Sequence, residues 1–209
     1  MILKAKHHFI VYPFFKRYAV WKIKKCFHDV KIIGEYKQSD QAILLLSNHI
    51  SWWDGFWAMY LNVKVFHKKF HFMMLEDQLR KHWFFNYTGG FSINKKHKSI
   101  LETLAYTSEL LSDSNNMILV YPQGEIQTMH NQTLIFEKGL ERISMQPNHP
   151  IQIVFMANLV DYFSNPKPSI YMYIKTLNAQ QIKPNELQSE YATFYQNCIQ
   201  NQKTLNNNQ

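Results

Sequence analysis

The alternation of apolar and polar positions divides the chain into short elements of two kinds. The run "AILLLS" at Ala42–Ser47 is apolar on both faces, the mark of a strand in the middle of a sheet, and "MILVYP" repeats the pattern until Pro122 ends it. Residues 30–36, 70–75 and 151–157, "FSIN" behind Gly89 and Gly90, and residues 169–174 read as further strands. Between them lie helical stretches at 53–61, from Glu76 onward, and in "HKSILETLAYTSELLSD", whose apolar positions are Ile100, Leu104, Leu110 and Leu111. "IFEKGLERIS" reads as another helix, and Asn185 is expected to cap a last one carrying Leu187, Tyr191, Phe194 and Cys198 on one face. Strands alternating with helices predict an α/β single-domain sandwich, its largely parallel central sheet flanked by helices.

A different pattern precedes the first strand, in "MILKAKHHFIVYPFFKRYAVWKIKKCFHD". Pro13 suits a first helical turn. On a helical wheel Phe15, Ala19, Val20, Ile23, Cys26 and Phe27 share one side, and Arg17, Lys24, Lys25 and His28 the other, with Phe14, Tyr18 and Trp21 at the boundary. Such a helix can lie in a headgroup layer with its cations near anionic lipid, or it can pack on the rest of the domain, since Lys16 interrupts its apolar face. Cations break every apolar run and no small-residue cleavage site follows, so a secretory signal is not expected. No stretch reaches the ~18 apolar residues of a membrane-spanning helix. The expected organisation is therefore a basic amphipathic segment at 1–29, one domain at 30–203 and a disordered tail, "LNNNQ" with its preceding threonine, at 204–209.

Composition narrows the partners. A net charge of +8 in 209 residues and 15% aromatic content favour phosphates, anionic lipid or nucleic acid, and charge alone does not choose among them. No motif with base-reading residues is present, so nucleic acid is not expected. Cys26 and Cys198 lie far apart without a Cys-x-x-Cys spacing, which fits packing residues in a reducing compartment. The histidine clusters "HH" at His7 and "HKKFHF" lack acidic or cysteine partners at ligand spacing, so neither a metal nor a resident cofactor is expected.

The candidate chemistry lies in "LLLSNHISWWDGFW", where a buried strand runs into Asn48 and His49, with Asp54 five positions further on. Ten histidines and six aspartates in 209 residues would give that spacing by chance about 0.3 times, so spacing alone is weak evidence. Position carries more, because ligands bind where strands of an α/β sheet end. Ser51 can cap the following helix, leaving Asp54 in its first turn, able to reach back to the imidazole. A carboxylate on one ring nitrogen fixes the tautomer and frees the other as a base, and without a serine the hydroxyl it activates belongs to the substrate. A loop histidine beside an ordinary helix cap is the alternative. Trp52 and Trp53 either pack on the core or line an acyl groove or bilayer contact beside the site.

"NHISWWD" resembles the first motif of the glycerolipid acyltransferases of the 1-acylglycerol-3-phosphate O-acyltransferase type, Asn-His, four residues, Asp. Further blocks follow the family's order: "IIGEY" its glycine-containing lead-in, "GGFSINKK" its second block, "VYPQGEI" its third, and "FEKGLERI" its Phe-Lys-x-Gly helix. The resemblance implies an acyl thioester donor, acyl-coenzyme A or acyl carrier protein, acting as co-substrate, and a lipid or glycerol-type hydroxyl acceptor. It implies His49 and Asp54 as the catalytic pair, and Asn48, Lys95, Gln123, Gly124 and Glu125 as substrate-binding positions, on a protein peripheral to the cytoplasmic face of a membrane. The departures point at the acceptor. Lys95 stands where the second block usually ends in arginine, and the third block reads Pro122, Gln123, Gly124, Glu125, Ile126 instead of Pro-Glu-Gly-Thr-Arg. Lysine lacks the bidentate fork, and Glu125 would repel a phosphate, so phosphate-free acceptors are expected beside the family's lysophosphatidate. In "IVFMAN" Phe155 stands at the proline position of the Val-Pro pair that the fourth block usually carries. A thioester hydrolase and a non-enzymatic basic module binding anionic lipid are the competing readings.

Overall fold

Every residue of Ala42–Ser47 (β2) is buried because sheet neighbours flank the strand and helices cover its two faces. The computed structural model describes residues 2–94, 97–137, 150–178 and 182–205. Within them β2 pairs in parallel with Asn116–Val120 (β5) on one side and Ile151–Asp161 (β6) on the other. With Val30–Ile33 (β1), Lys69–Leu75 (β3), Gly90–Ile93 (β4) and Ser169–Asn178 (β7), they form a seven-stranded sheet in the order β1-β7-β6-β2-β5-β3-β4. Only β6 and β7 run antiparallel to each other. β2 is thus the middle strand, as an element apolar on both faces should be.

The pleat sends alternate side chains to opposite layers. Leu44 and Leu46 join a cluster with Leu104 and Leu111 of His97–Leu111 (α4) and with Tyr191 and Phe194 of Leu187–Thr204, the C-terminal helix. Ile43 and Leu45 join a second cluster with Phe15, Ala19 and Ile23 of Val11–Cys26 (α1) and with Trp57 and Leu61 of Asp54–Leu61 (α2). Burying each of these leucines stabilises the fold by about 2 kcal/mol relative to leaving it exposed.

Most boundaries expected from the pattern hold within a few residues, and the exceptions have local causes. β1 stops at Ile33 because Gly34, at φ 112°, brings the backbone so close to Ile174 that a Cβ would lie 2.1 Å from its carbonyl oxygen. β6 and β7 outrun their apolar cores because their antiparallel ladder continues to Asp161 and Asn178. α2 is prolonged by a π-helical turn, Asn62–Phe66, which His67 ends at φ 57°. Asn185 is not a helix cap: it lies inside a 3-10 turn, Pro184–Glu186, and the C-terminal helix starts at Leu187 without a side-chain cap. That helix extends through Thr204, into the expected tail, whose last four residues lie outside the described residues. Of the helix expected in "IFEKGLERIS", residues 135–137 are not helical and the remainder lies outside the described residues.

The N-terminal segment shares the core of the rest. Along the outer edge of β4, Leu3 N–H donates to Ser92 Oγ and Ser92 N–H donates to Leu3 O, and the backbone bonds from Gly89 N–H to Lys6 O and from His8 N–H to Tyr87 O continue the contact, so the sheet's edge is covered. α1 then lays Phe15, Ala19 and Ile23 into the second cluster, and Phe27 follows them. Its other side keeps Phe14, Arg17, Trp21 and Lys24 exposed. No helix among the described residues is long and apolar enough to cross a membrane.

Candidate active site

The site forms where β2 ends. Asn48 extends the ladder with its side chain: Asn158 N–H donates to its Oδ1 at 2.8 Å, and its Nδ2 donates to Asn158 O at 2.9 Å. That clamp ties the end of β2 to β6, and the chain then leaves the sheet at His49, at the carboxyl end of the central parallel strand. Asn48 is fully buried with both amide ends engaged by Asn158.

Asp54, the first residue of α2, reaches back over the turn. Its Oδ2 accepts from His49 Nδ1 at 2.6 Å, from Ile50 N–H at 2.7 Å and from Ser51 N–H at 2.9 Å. Ser51 does not cap α2: its Oγ accepts from Trp53 N–H, and the helix begins without a side-chain cap. Burial pushes the Asp54 carboxyl above its ordinary value; the bond from His49, the Ser51 amide, the nearby imidazole charge and the Ile50 amide pull the other way. Asp54 Oδ1 is buried with no partner among the described residues. A carboxylate at Nδ1 selects the tautomer with the proton there and leaves the lone pair on Nε2. The His49 side chain keeps 22% of its surface exposed.

The loop after β5 holds the backbone of His49. Gln123 Oε1 accepts from His49 N–H at 2.6 Å, Gln127 N–H donates to His49 O at 2.9 Å, and Gln123 Nε2 donates to Gln127 Oε1 at 2.8 Å. Gln123 is buried and both ends of its amide are engaged, so it holds the backbone of His49. Gly124 has φ 69°, and a Cβ there would lie 2.7 Å from Glu137 Cγ, so the turn admits only glycine without strain. Glu125 is exposed on this loop, with its Oε1 3.5 Å from Gln127 Nε2. Lys95 lies outside the described residues.

Two residues that were not singled out from the sequence complete the arrangement. Asn158 receives the Asn48 clamp. Tyr121 lays its ring on His49 with centroids 4.0 Å apart and planes 9° from parallel. Its hydroxyl is buried without a partner among the described residues, and burial, with the negative Asp54 beside it, pushes its ionisation well above the usual phenol value. Only strand pairing reveals this contact: the register Leu46↔Val120, continued by one step, sets Tyr121 opposite Ser47, two residues before His49. Of the two tryptophans, Trp53 packs edge-on against Phe27 at 5.2 Å, whereas Trp52 is 63% exposed. Phe155 is buried in the core. Among the described residues no group of three or more histidine, cysteine, aspartate or glutamate side chains is placed to hold a metal ion.

Comparison with known proteins follows the same lines. The chain has the fold of the 1-acyl-sn-glycerophosphate (LPA) acyltransferase PlsC from Thermotoga maritima, with a TM-score of 0.66 at 14% identity over 91% of this chain and 79% of that one. No curated protein matches it in sequence. A family model described as Acyltransferase matches residues 29–157.

Proposed function

The chain belongs to the acyltransferase family, and we propose that it moves a fatty acyl group from a thioester, acyl-coenzyme A or acyl carrier protein, to a hydroxyl of a lipid or glycerol-type acceptor. The observation that carries this reading is the 2.6 Å bond from His49 Nδ1 to a buried Asp54, on an imidazole whose side chain keeps 22% of its surface exposed. His49 Nε2 takes the acceptor's hydroxyl proton as the oxygen attacks the thioester carbonyl. The C–S bond then breaks, and the imidazolium returns the proton to the departing thiolate. Asp54 stabilises the imidazolium between these steps and holds its tautomer. Gln123 and Gln127 keep the histidine backbone in place throughout.

The acceptor is reached from a membrane surface in this reading. Ring contacts link exposed Phe14 to Tyr18 at 6.1 Å and Tyr18 to exposed Trp21, and buried Phe56 bridges Tyr18 to exposed Trp52 at 4.8 Å, so an aromatic cluster runs from α1 to the turn that follows His49. A shallow groove on the outer side of α1 adds Lys16, Arg17 and Lys24 to Tyr12 and Trp21. Aromatic rings interleaved with cations suit a headgroup layer, and the anionic cytoplasmic leaflet would attract a chain of charge +8. Glu125, exposed on the loop that holds His49, disfavours an acceptor phosphate and supports phosphate-free hydroxyl acceptors used at least as well as lysophosphatidate.

Thiol release from long-chain acyl-coenzyme A, measured with and without a hydroxyl acceptor, tests the reading. Release that requires the acceptor and falls by at least about 10²-fold in His49→Ala is expected. Release independent of acceptor would identify a hydrolase, and unchanged turnover in His49→Ala would remove His49 as the base.

A further inference from the structure

Three constraints hold His49, and two of them leave one motion free. Gln123 and Gln127 fix its backbone, and Asp54 fixes the point occupied by Nδ1. A ring pinned at its backbone and at one nitrogen can still tilt its plane, which would swing Nε2 out of line with a substrate hydroxyl. The face-to-face stack of Tyr121, at 4.0 Å and 9°, removes that freedom. The same ring does more once the imidazole is protonated, because a cation within about 6 Å over an aromatic face is attracted by its quadrupole.

We propose that Tyr121 is a positioning residue for acyl transfer: its ring fixes the plane of the His49 imidazole and stabilises the imidazolium formed when Nε2 takes the acceptor's proton. The proposal rests on His49 being the base. The hydroxyl of Tyr121 plays no part in it, being buried without a partner among the described residues. Burial and the neighbouring Asp54 keep that hydroxyl protonated, so the face presented to His49 is a neutral phenol at working pH.

The test separates the ring's electronics from its packing. Tyr121→Leu should lower kcat about tenfold with little change in KM, the loss expected from removing a desolvated cation–π contact, and should move the acidic limb of the kcat profile to lower pH. Tyr121→Phe, which keeps the aromatic face, should rescue both effects. Leucine also removes packing, so the decisive variants are phenylalanine analogues of increasing fluorination at position 121, nearly isosteric with progressively weaker quadrupoles. A graded fall in kcat and a graded shift of the acidic limb across that series, at constant thermal stability, are expected. A flat series, with His49→Ala inactive, would overturn the stabilisation of the imidazolium by Tyr121, and an unchanged kcat in Tyr121→Leu would overturn its positioning role as well. Retained activity in His49→Ala would instead refute the base on which the proposal depends.

Discussion

Replacing Asp54 by asparagine separates two effects that are usually lost together. In His-Asp pairs an amide can invert the imidazole tautomer, and the loss in kcat then reaches about 10⁴-fold. Here the carboxylate oxygen that meets His49 also accepts from the amides of Ile50 and Ser51, at 2.7 and 2.9 Å. Turning an asparagine NH2 toward those donors would strand two N–H groups, at about 1–3 kcal/mol each. The amide oxygen should therefore occupy the Oδ2 position, keeping Nδ1 as donor and Nε2 as base. What disappears is the charge. A hydrogen bond to a charged partner contributes about 1.5–3 kcal/mol, so kcat should fall by about 10- to 150-fold, well short of the loss from inversion. Thermal stability should change little, because the two backbone donors keep their acceptor, whereas Asp54→Ala should destabilise by several kcal/mol as well as inactivate. Steady-state thiol release gives kcat, and imidazole ¹⁵N shifts give the tautomer. A loss below about fivefold would reduce Asp54 to a cap for two backbone amides. A loss near 10⁴-fold with an inverted tautomer would refute the claim that those amides orient the residue at position 54.

Three further outcomes follow from the same structure. Because Phe15, Ala19 and Ile23 belong to the core, the membrane reading is tested by surface changes and not by truncation: serine at Phe14, Trp21 and Trp52 together should weaken partition onto anionic vesicles by at least about 100-fold and impair lipid-embedded acceptors more than dispersed ones, and equal impairment of both would refute the aromatic cluster as a membrane contact. Glu125→Gln should raise activity on lysophosphatidate relative to phosphate-free acceptors by about fivefold, the size of one screened charge pair; a wild-type enzyme that already prefers lysophosphatidate by a wide margin would show that Glu125 does not select the acceptor. His71 is 2% exposed, and burial, with the ring of His7 edge-on beside it, lowers its pKa from 6.5 to about 3. Neutral His71 therefore supports the fold fully above pH 6.5 and progressively less as pH falls toward 3, by about 3 kcal/mol at pH 4.5, a loss that denaturant titration should show in wild type and not in a stably folded His71→Gln variant.

Much of the fold was legible because its elements carry their own periodicity. Ala42–Ser47 is apolar at every position except its last, which only a strand covered on both faces requires, and the structure sets it fourth of seven. The position of His49 at the end of that strand, and of Asp54 in the first turn of the next helix, followed from the same local reading. Residues whose partners are distant in sequence were not legible. The amides of Asn48 and Gln123 found their partners only in the folded chain, Asn48 in Asn158 of β6, 110 positions away, and Gln123 in His49, 74 positions away. Asn185 looked like a cap because its side chain suits one; the 3-10 turn before Leu187 displaced the helix start. α1 kept both of its possible characters, since amphipathicity states that one face is apolar and not what covers it, and packing against α2 settled the inner face alone. Tyr121 was the furthest from reach. Its place over the imidazole depends on two parallel strands ending level, a property of register, and register is decided by how whole strands bury their faces against each other and not by the residues at their tips.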